Sequence, residues 1–413
     1  MSLRKRRAAM AFILVTAALD IVAMGLVIPV LPPLIEKFAG SDANAGVWNG
    51  LLIALWAGAQ FLASPVIGSL SDRFGRRPVI LVSVAGMAID WVLMALAPNL
   101  WWLAIGRLIG GVTSSSFTTV YAYVADVTEP AGRARAYGLV GAAFSGGFVL
   151  GPFLGGVLGE ISPRAPFWAA AAMSAVAFVY GLVVLPESLP KANRTPFSWT
   201  RANPFGALNL LRSGTGLLGL ATVDFLLYFA HHVFSAIFVL YAGHRYGWTA
   251  LEVGLVLAFV GLLDMAVQGL MTGPVVKRLG ERRTMLLGLC GGVVGISCMG
   301  LATNGALFVA AMLPNALWGL AMPTLQSLMT ARVSEAEQGQ LQGAINSLAS
   351  IAGVLSPLFF GFVYSISVGE RAAIPFIGTS FLIAAGVLAA AAVMAVVSER
   401  RAAVRDPANK TAA

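Results

Sequence analysis

Four carboxylates, Asp20, Asp90, Asp224 and Asp264, stand well inside apolar stretches of the chain, and Arg107 joins them. A charge at the centre of a bilayer costs about 2.5–3.5 kcal/mol on insertion scales, so such residues face a cavity or a partner and mark ion or substrate routes. Asp20 lies near the middle of its stretch with no obvious arginine to pair with. An acid so placed can take a proton in dry surroundings and release it when water enters, or it can stay neutral and hydrogen-bond a neighbouring helix. At 1.5 Å of rise per residue, Asp90 and Arg107 fall at similar depth on consecutive helices. They are expected to pair, either as a fixed tie between the two helices or as a site a substrate engages. Asp224 and Asp264 follow Asp20 and Gln60 at one offset, 204 residues, and carry the same two readings of proton coupling or helix tie. Gln60 is either a donor to substrate or a link between helices. His231 stands two turns from Asp224 with Tyr228 between them on the same face, which suits proton coupling or simple packing. Trp56, Trp91 and Tyr228 are the aromatic groups expected to touch a substrate. No further ligands surround these residues, so no metal is expected. No nucleophile and base share a catalytic spacing, so neither an enzyme nor a cofactor is expected.

The elements that must hold these groups follow from composition. Of 413 residues, 58% are hydrophobic and 11% charged, and the mean hydropathy is +0.83. That is too few charges for the polar skin of a soluble protein of this size. A soluble enzyme and a nucleic-acid module are thereby excluded, despite a formal charge of +9. About 20 apolar residues cross the hydrocarbon core as a helix. Twelve segments qualify: 8–30, 46–68, 78–97, 100–124, 136–158, 165–185, 214–242, 250–274, 284–303, 305–331, 339–366 and 374–397. The first follows Arg4, Lys5, Arg6 and Arg7, but it is long for a signal peptide and ends without a small-residue cleavage site, so it is read as a retained span. Cys290 and Cys298 lie in one apolar segment and are read as small packing residues.

With the N-terminus placed in the cytoplasm, nearly all Lys and Arg fall on the cytoplasmic side. The exceptions are Lys37, Arg164, Arg245 and Arg371 on the far side and Arg107 within a span. This asymmetry predicts both termini inside, and an even number of spans. The longest interruption, 186–213, reads as a cytoplasmic linker between six-helix bundles at 1–185 and 214–413. Phe205, Leu208 and Leu211 within it are equally compatible with a short helix on the membrane surface.

The two halves repeat. Gly68-Ser-Leu-Ser-Asp72-Arg73-Phe-Gly75-Arg76-Arg77 returns as Gly273-Pro-Val-Val-Lys277-Arg278-Leu-Gly280-Glu281-Arg282, and Gly151-Pro152 returns as Ser356-Pro357, both 205 residues on. Repeated bundles about a central site are a transporter architecture. In the first loop the glycines allow tight turns, and Asp72, Arg73, Arg76 and Arg77 can exchange partners as helices move, with Asp126 at the end of span four a further partner. This makes the loop a candidate gate. In span five, Gly147, Gly151, Pro152, Gly155 and Gly156 form a small-residue face that permits close backbone approach.

These features resemble the major facilitator superfamily. The Gly68–Arg77 loop is similar to its signature loop between helices two and three, Arg107 with Gly111 to its helix-four motif, and Gly147 to Gly156 to the helix-five motif of its drug:proton antiporters. Pro186-Glu187-Ser188 follows helix six as in many members. Within that group the chain resembles the tetracycline efflux proteins, through Gly25-Leu-Val-Ile-Pro-Val-Leu-Pro32, Gly159-Glu-Ile-Ser-Pro163, Arg245-Tyr-Gly-Trp248 and Gln338-Gly-Gln-Leu-Gln-Gly343. The resemblance implies functional roles for Asp20, Gln60, Asp72, Arg76, Asp90 and Arg107. The second half departs from it, with Gly292 where the tetracycline pumps carry a helix-nine aspartate, and Asp264 where many carry a helix-eight histidine.

The expectation is an all-α membrane protein of twelve transmembrane helices in two pseudo-symmetric six-helix bundles, seated in the inner membrane. It is expected to export small amphiphilic compounds or drugs in exchange for protons, with a small-molecule substrate, protons and the lipid bilayer as its partners and no nucleic acid. An uptake symporter for a nutrient or organic anion is the alternative, with Arg107 then binding the anion. A membrane-embedded enzyme or lipid-binding receptor is a more distant one.

Overall fold

A computed structural model describes residues 3–114, 117–129, 132–197, 203, 205–212, 217–334, 337–369 and 372–405. Long apolar runs without access to water must satisfy every backbone N–H and C=O internally, and helices do so within one segment. Accordingly the described residues form helices and connecting turns, with no strand among them. In the first half these are α1 (Leu3–Val27), α2 (Leu31–Ala39), α3 (Asp42–Phe74), α4 (Arg76–Leu96), α5 (Leu100–Ser114), α6 (Phe117–Val127), α7 (Arg133–Ile161) and α8 (Ala165–Val184). In the second half they are α9 (Leu217–Tyr246), α10 (Ala250–Ala266), α11 (Thr272–Leu301), α12 (Gly305–Ala316), α13 (Ala321–Thr330), α14 (Gln338–Ser365) and α15 (Thr379–Arg405).

Ten helical runs among the described residues are long and apolar enough to cross a bilayer. One of them, Ala250–Leu301, is 52 residues long. It is broken at Gly280 (φ 76°, ψ 164°) and so supplies two crossings. The segment from α5 through α6 supplies another, with residues 115 and 116 outside the described set. The twelve-crossing reading therefore holds.

Several boundaries differ from the hydropathy reading, each for a local reason. Span one ends early, at Val27, because the Pro29 and Pro32-Pro33 region turns the chain and restarts it as the short helix α2. Proline has no N–H to continue a helix but suits a helix start. Span ten tightens into a 3₁₀ turn at Leu317–Leu320, between Pro314 and Pro323. Span eight passes through a π-helical turn at Val267–Met271. Residues 206–212 form a 3₁₀ helix packed against α14 and α9, and Leu210 and Leu211 are buried there. Of the three residues that suggested a surface helix, Leu211 is buried here, Leu208 is partly buried and Phe205 is exposed.

Two compact units emerge, residues 1–204 with 247–261, and residues 205–246 with 262–413. In the first, α1 packs along α7 and α8, α4 along α8, and α3 along α5. Phe12, Ile80, Val84, Tyr123 and Val140 lie in its core. In the second, α9 packs along α14 and α15, and α11 along α12 and α15. Its interior holds an aromatic group in which the Tyr241 and Phe381 ring centroids are 4.9 Å apart and those of Phe308 and Phe381 5.7 Å. Large apolar side chains cover the outside, Val183 at 82% exposure and Ile161 at 76% among them. Such an exterior suits lipid and not water. Cys290 and Cys298 are exposed, which corrects their reading as packing residues. A bilayer lets small apolar side chains face outward without penalty.

Candidate functional site

Within the spans, opposite charges approach each other between α4 and α5. Arg107 Nη2 lies 3.7 Å from Asp90 Oδ2. Helices this close need small residues at the contact, and the sequence supplies Gly106 and Gly110 on either side of Arg107. A Cβ at Gly106 would lie 2.8 Å from Asp90 Oδ1 and 2.7 Å from Met94 Sδ, and one at Gly110 would fall on Asp90 Oδ2. The two glycines therefore form the niche that receives the Asp90 carboxylate. On its other side Arg107 is backed by an aromatic face, with Cζ 5.4 Å from the centroid of the Trp91 ring. Trp56 completes the surroundings, its Cδ1 lying 3.6 Å from where a Gly110 Cβ would be. Asp90, Arg107, Trp91 and Trp56 are thus one cluster.

Asp20 is positioned differently. Its helix, α1, lies along the glycine face of α7. A Cβ at Gly147 would meet Ile21 Cγ2 at 2.7 Å, one at Gly151 would meet Gly25 Cα at 2.7 Å, and one at Gly155 would meet Leu26 Cα at 2.8 Å. This backbone-to-backbone ridge begins beside Asp20 and fixes its depth. The Asp20 Oδ1 atom is buried and has no hydrogen-bond partner among the described residues. An adjacent face of α7 is also in use. A Cβ at Gly156 would lie 2.6 Å from Ala250 O, and the Pro152 carbonyl lies against Gly254. Glu160, at the end of α7, accepts from Leu251 N–H at 3.3 Å. Thr249 and Glu252 cap α10 reciprocally, Thr249 N–H to Glu252 Oε2 at 2.8 Å and Glu252 N–H to Thr249 Oγ1 at 3.4 Å. Gln60 is partly buried in α3.

In the second unit Asp224 is buried in α9, and its Oδ2 has no hydrogen-bond partner among the described residues. Tyr228 follows one turn later. His231 lies edge-on to Trp318 at 5.4 Å between centroids, and His232 Nδ1 is 3.4 Å from Ser235 Oγ. Asp264 is partly exposed near the end of α10, just before the π-helical turn. Gly292 is covered by other groups. A Cβ there would lie 3.1 Å from Trp318 Cγ and 2.6 Å from Leu388 Cδ2, so its missing side chain makes room for the indole.

The loop between spans two and three is held from four directions. Arg76 Nη1 contacts Asp72 Oδ1 at 2.5 Å and Ser71 Oγ at 2.6 Å, while its Nε reaches Asp126 Oδ2 at 3.3 Å. The Arg76 N–H donates to Glu187 Oε1 at 2.9 Å, and Ser188 Oγ donates to Asp126 Oδ2 at 2.9 Å. Arg194 faces Glu187 at 3.7 Å, and Thr195 N–H donates to Asp72 O at 3.2 Å. Arg77 Nη2 donates to Leu182 O at 2.8 Å. Gly75 has φ 104° and ψ 160°, a conformation essentially confined to glycine. Any side chain there would strike Glu187 and Arg194. Arg73 lies over the Phe74 ring at 5.1 Å, and Gly68 O accepts from Ser71 Oγ at 3.0 Å.

Sequence reasoning did not assign work to Glu187, Ser188, Ser71, Gly106 or Gly110. Glu187 and Ser188 stand more than 100 residues from the loop they hold, and the sequence marked them only through Pro186-Glu187-Ser188, a stretch that resembles the one after helix six in many members of the major facilitator superfamily. Gly106 and Gly110, one turn apart and bracketing an intramembrane arginine, carried the clearer signal.

Comparison with known proteins bears on what this arrangement belongs to. The family model for the Major Facilitator Superfamily matches residues 13–270 and 220–412. The class C tetracycline resistance protein of Escherichia coli is 39% identical over 363 residues, covering 88% of this chain and 91% of that protein. The class G tetracycline resistance protein of Vibrio anguillarum is 39% identical over 356 residues, covering 86% and 90%. Among solved structures, the nucleoside transporter NupG superposes with a TM-score of 0.77 at 14% identity, covering 94% of this chain and 98% of that one, a likeness of fold. A duplicated helical membrane chain with intramembrane charges, a glycine-turned basic loop and these relatives belongs to the major facilitator superfamily of transporters.

Proposed function

We propose that this transporter exports small amphiphilic compounds of the tetracycline class across a cell inner membrane in exchange for protons, with both termini in the cytoplasm. Two six-helix halves, 1–185 and 214–413, joined by the linker 186–213, would provide alternating access. The observation that carries the export reading is the 39% identity to tetracycline resistance proteins over nearly their whole length. The coupling reading rests on Asp20 and Asp224, each with a buried carboxylate oxygen that lacks a hydrogen-bond partner among the described residues, and on Asp264, in the same half as Asp224. A carboxyl free of a fixed counter-ion can be neutral while its surroundings are dry and charged when water reaches it. That alternation ties proton movement to conformation. The loop around Arg76 acts as the gate, and the glycine face of α7 as its packing counterpart.

A susceptibility panel that includes tetracycline, run in a pump-deficient host, tests this. The wild-type chain should raise resistance, and Asp20→Asn should return it to the level of the host alone. Everted vesicles with an imposed proton gradient should show the drug moving against the proton. Wild-type protein that protects against nothing and moves no drug would sink the export reading. Full resistance with Asp20→Asn would remove Asp20 from the coupling.

A further inference from the structure

The Asp90–Arg107 pair is close but not closed. At 3.7 Å its atoms are beyond hydrogen-bond distance. Three donors, Arg107 Nε, Arg107 Nη2 and Trp91 Nε1, and two acceptors, both Asp90 oxygens, are buried here with no hydrogen-bond partner among the described residues. Buried polar groups are normally satisfied, and leaving several open in one place is costly. Side-chain freedom does not explain the gap. The guanidinium rests on the Trp91 face, and the carboxylate is seated in the niche left by Gly106 and Gly110. Both partners are held short of each other by their neighbours. Arg107 is the more accessible member, its side chain 12% exposed against 1% for Asp90.

We propose that this open pair is a recognition site for an acidic oxygen of the transported compound, an enolate, phenolate or carboxylate. The inference rests on the exporter reading above. The anionic oxygen takes the guanidinium of Arg107, the more accessible member of the pair, while Asp90 stays enclosed in its glycine niche. Trp91 is a positioning residue, whose ring presents the guanidinium, so its effect runs through Arg107. No bond is made or broken in this step.

Equilibrium binding to the purified full chain in detergent tests it, with two fluorescent probes. Tetracycline carries an acidic enol beside a carboxamide. Ethidium is a planar aromatic cation without an acidic oxygen. Arg107→Gln should weaken tetracycline relative to ethidium by about tenfold, the scale of one charge-assisted hydrogen bond. Trp91→Leu should shift the same ratio by about fivefold and Trp91→Phe by about twofold, since phenylalanine restores a cation-binding face. The double variant Asp90→Asn/Arg107→Gln leaves no lone buried charge and guards against misfolding of the single one. It should lose the tetracycline preference while keeping its size-exclusion profile. An unchanged ratio in Arg107→Gln or in the double variant overturns the inference, as does equal loss of both probes. Wild-type protein that binds ethidium but not tetracycline overturns it and leaves the exporter reading standing. Wild-type protein that binds neither probe removes the exporter reading, and the inference falls with it.

Discussion

The loop at 68–77 and its repeat at 273–282 share a backbone turn and differ in the side chains that surround it. Each turns at a glycine in a conformation other residues avoid, Gly75 at φ 104° and Gly280 at φ 76°. Their charges are exchanged: Asp72 and Arg76 in the first stand where Lys277 and Glu281 stand in the second. In the first, Arg76 is bound to Asp72, Ser71 and Asp126, and Gly75 is walled in by Glu187 and Arg194. In the second, a Cβ at Gly280 would meet nothing within 4 Å, Lys277 and Arg278 are exposed, and Glu281 accepts from Ser327 Oγ at 2.5 Å. Backbone geometry has survived the duplication where side-chain partners have not. A turn needs only the glycine, whereas a latch needs several segments to carry matching charges at once.

The sharpest way to break this contrast is to give the first loop the charge of the second. Arg76→Glu places a third carboxylate between Asp72 and Asp126 in a largely buried position. It should cost about 2–4 kcal/mol, read as a fall in thermal unfolding temperature in detergent, and it should abolish transport in vesicles. A mild effect would mean that the latch contributes little. Next in size is the glycine pair. Gly75→Ala should cost about 2–3 kcal/mol, from strained backbone together with collision against Glu187, while Gly280→Ala should cost about 1 kcal/mol from the backbone alone. Equal effects in the same unfolding assay would contradict the difference between a walled and an open turn. Asp126→Asn keeps the shape but removes the charge that meets Arg76 and Ser188, for about 1–2 kcal/mol, with transport slowed severalfold. The smallest change belongs to Glu281→Gln, which should stay within about 0.5 kcal/mol because a carboxylate near solvent loses little with its charge. A larger loss there would show that the second loop is also a latch.

How much of the site could be read beforehand depended on how local its signals are. Asp20, Asp90, Arg107, Asp224 and Asp264 stand out in any hydropathy reading, since a charge in an apolar run is visible from its neighbours in sequence. The pairing of Asp90 with Arg107 could be foreseen because both depths are counted from the same membrane surface. The contact of Arg76 with Glu187 could not, because 111 residues separate them and any of several acids would have satisfied the sequence pattern. The 3₁₀ turn at Leu317–Leu320 and the π turn at Val267–Met271 also escaped, since hydropathy is blind to how tightly a helix is wound.

The sequence by itself determined the number of crossings, the duplication, the basic asymmetry and the presence of acids in oil. All of these follow from composition within windows of about 20 residues. Only the tertiary structure decided that Trp91 lies beneath Arg107, that Gly106 and Gly110 hollow out a seat for Asp90, and that the loop is tied to the chain beyond α8. Those choices depend on which faces of distant helices meet. A helix repeats its faces every 3.6 residues but does not encode which neighbour each face will find.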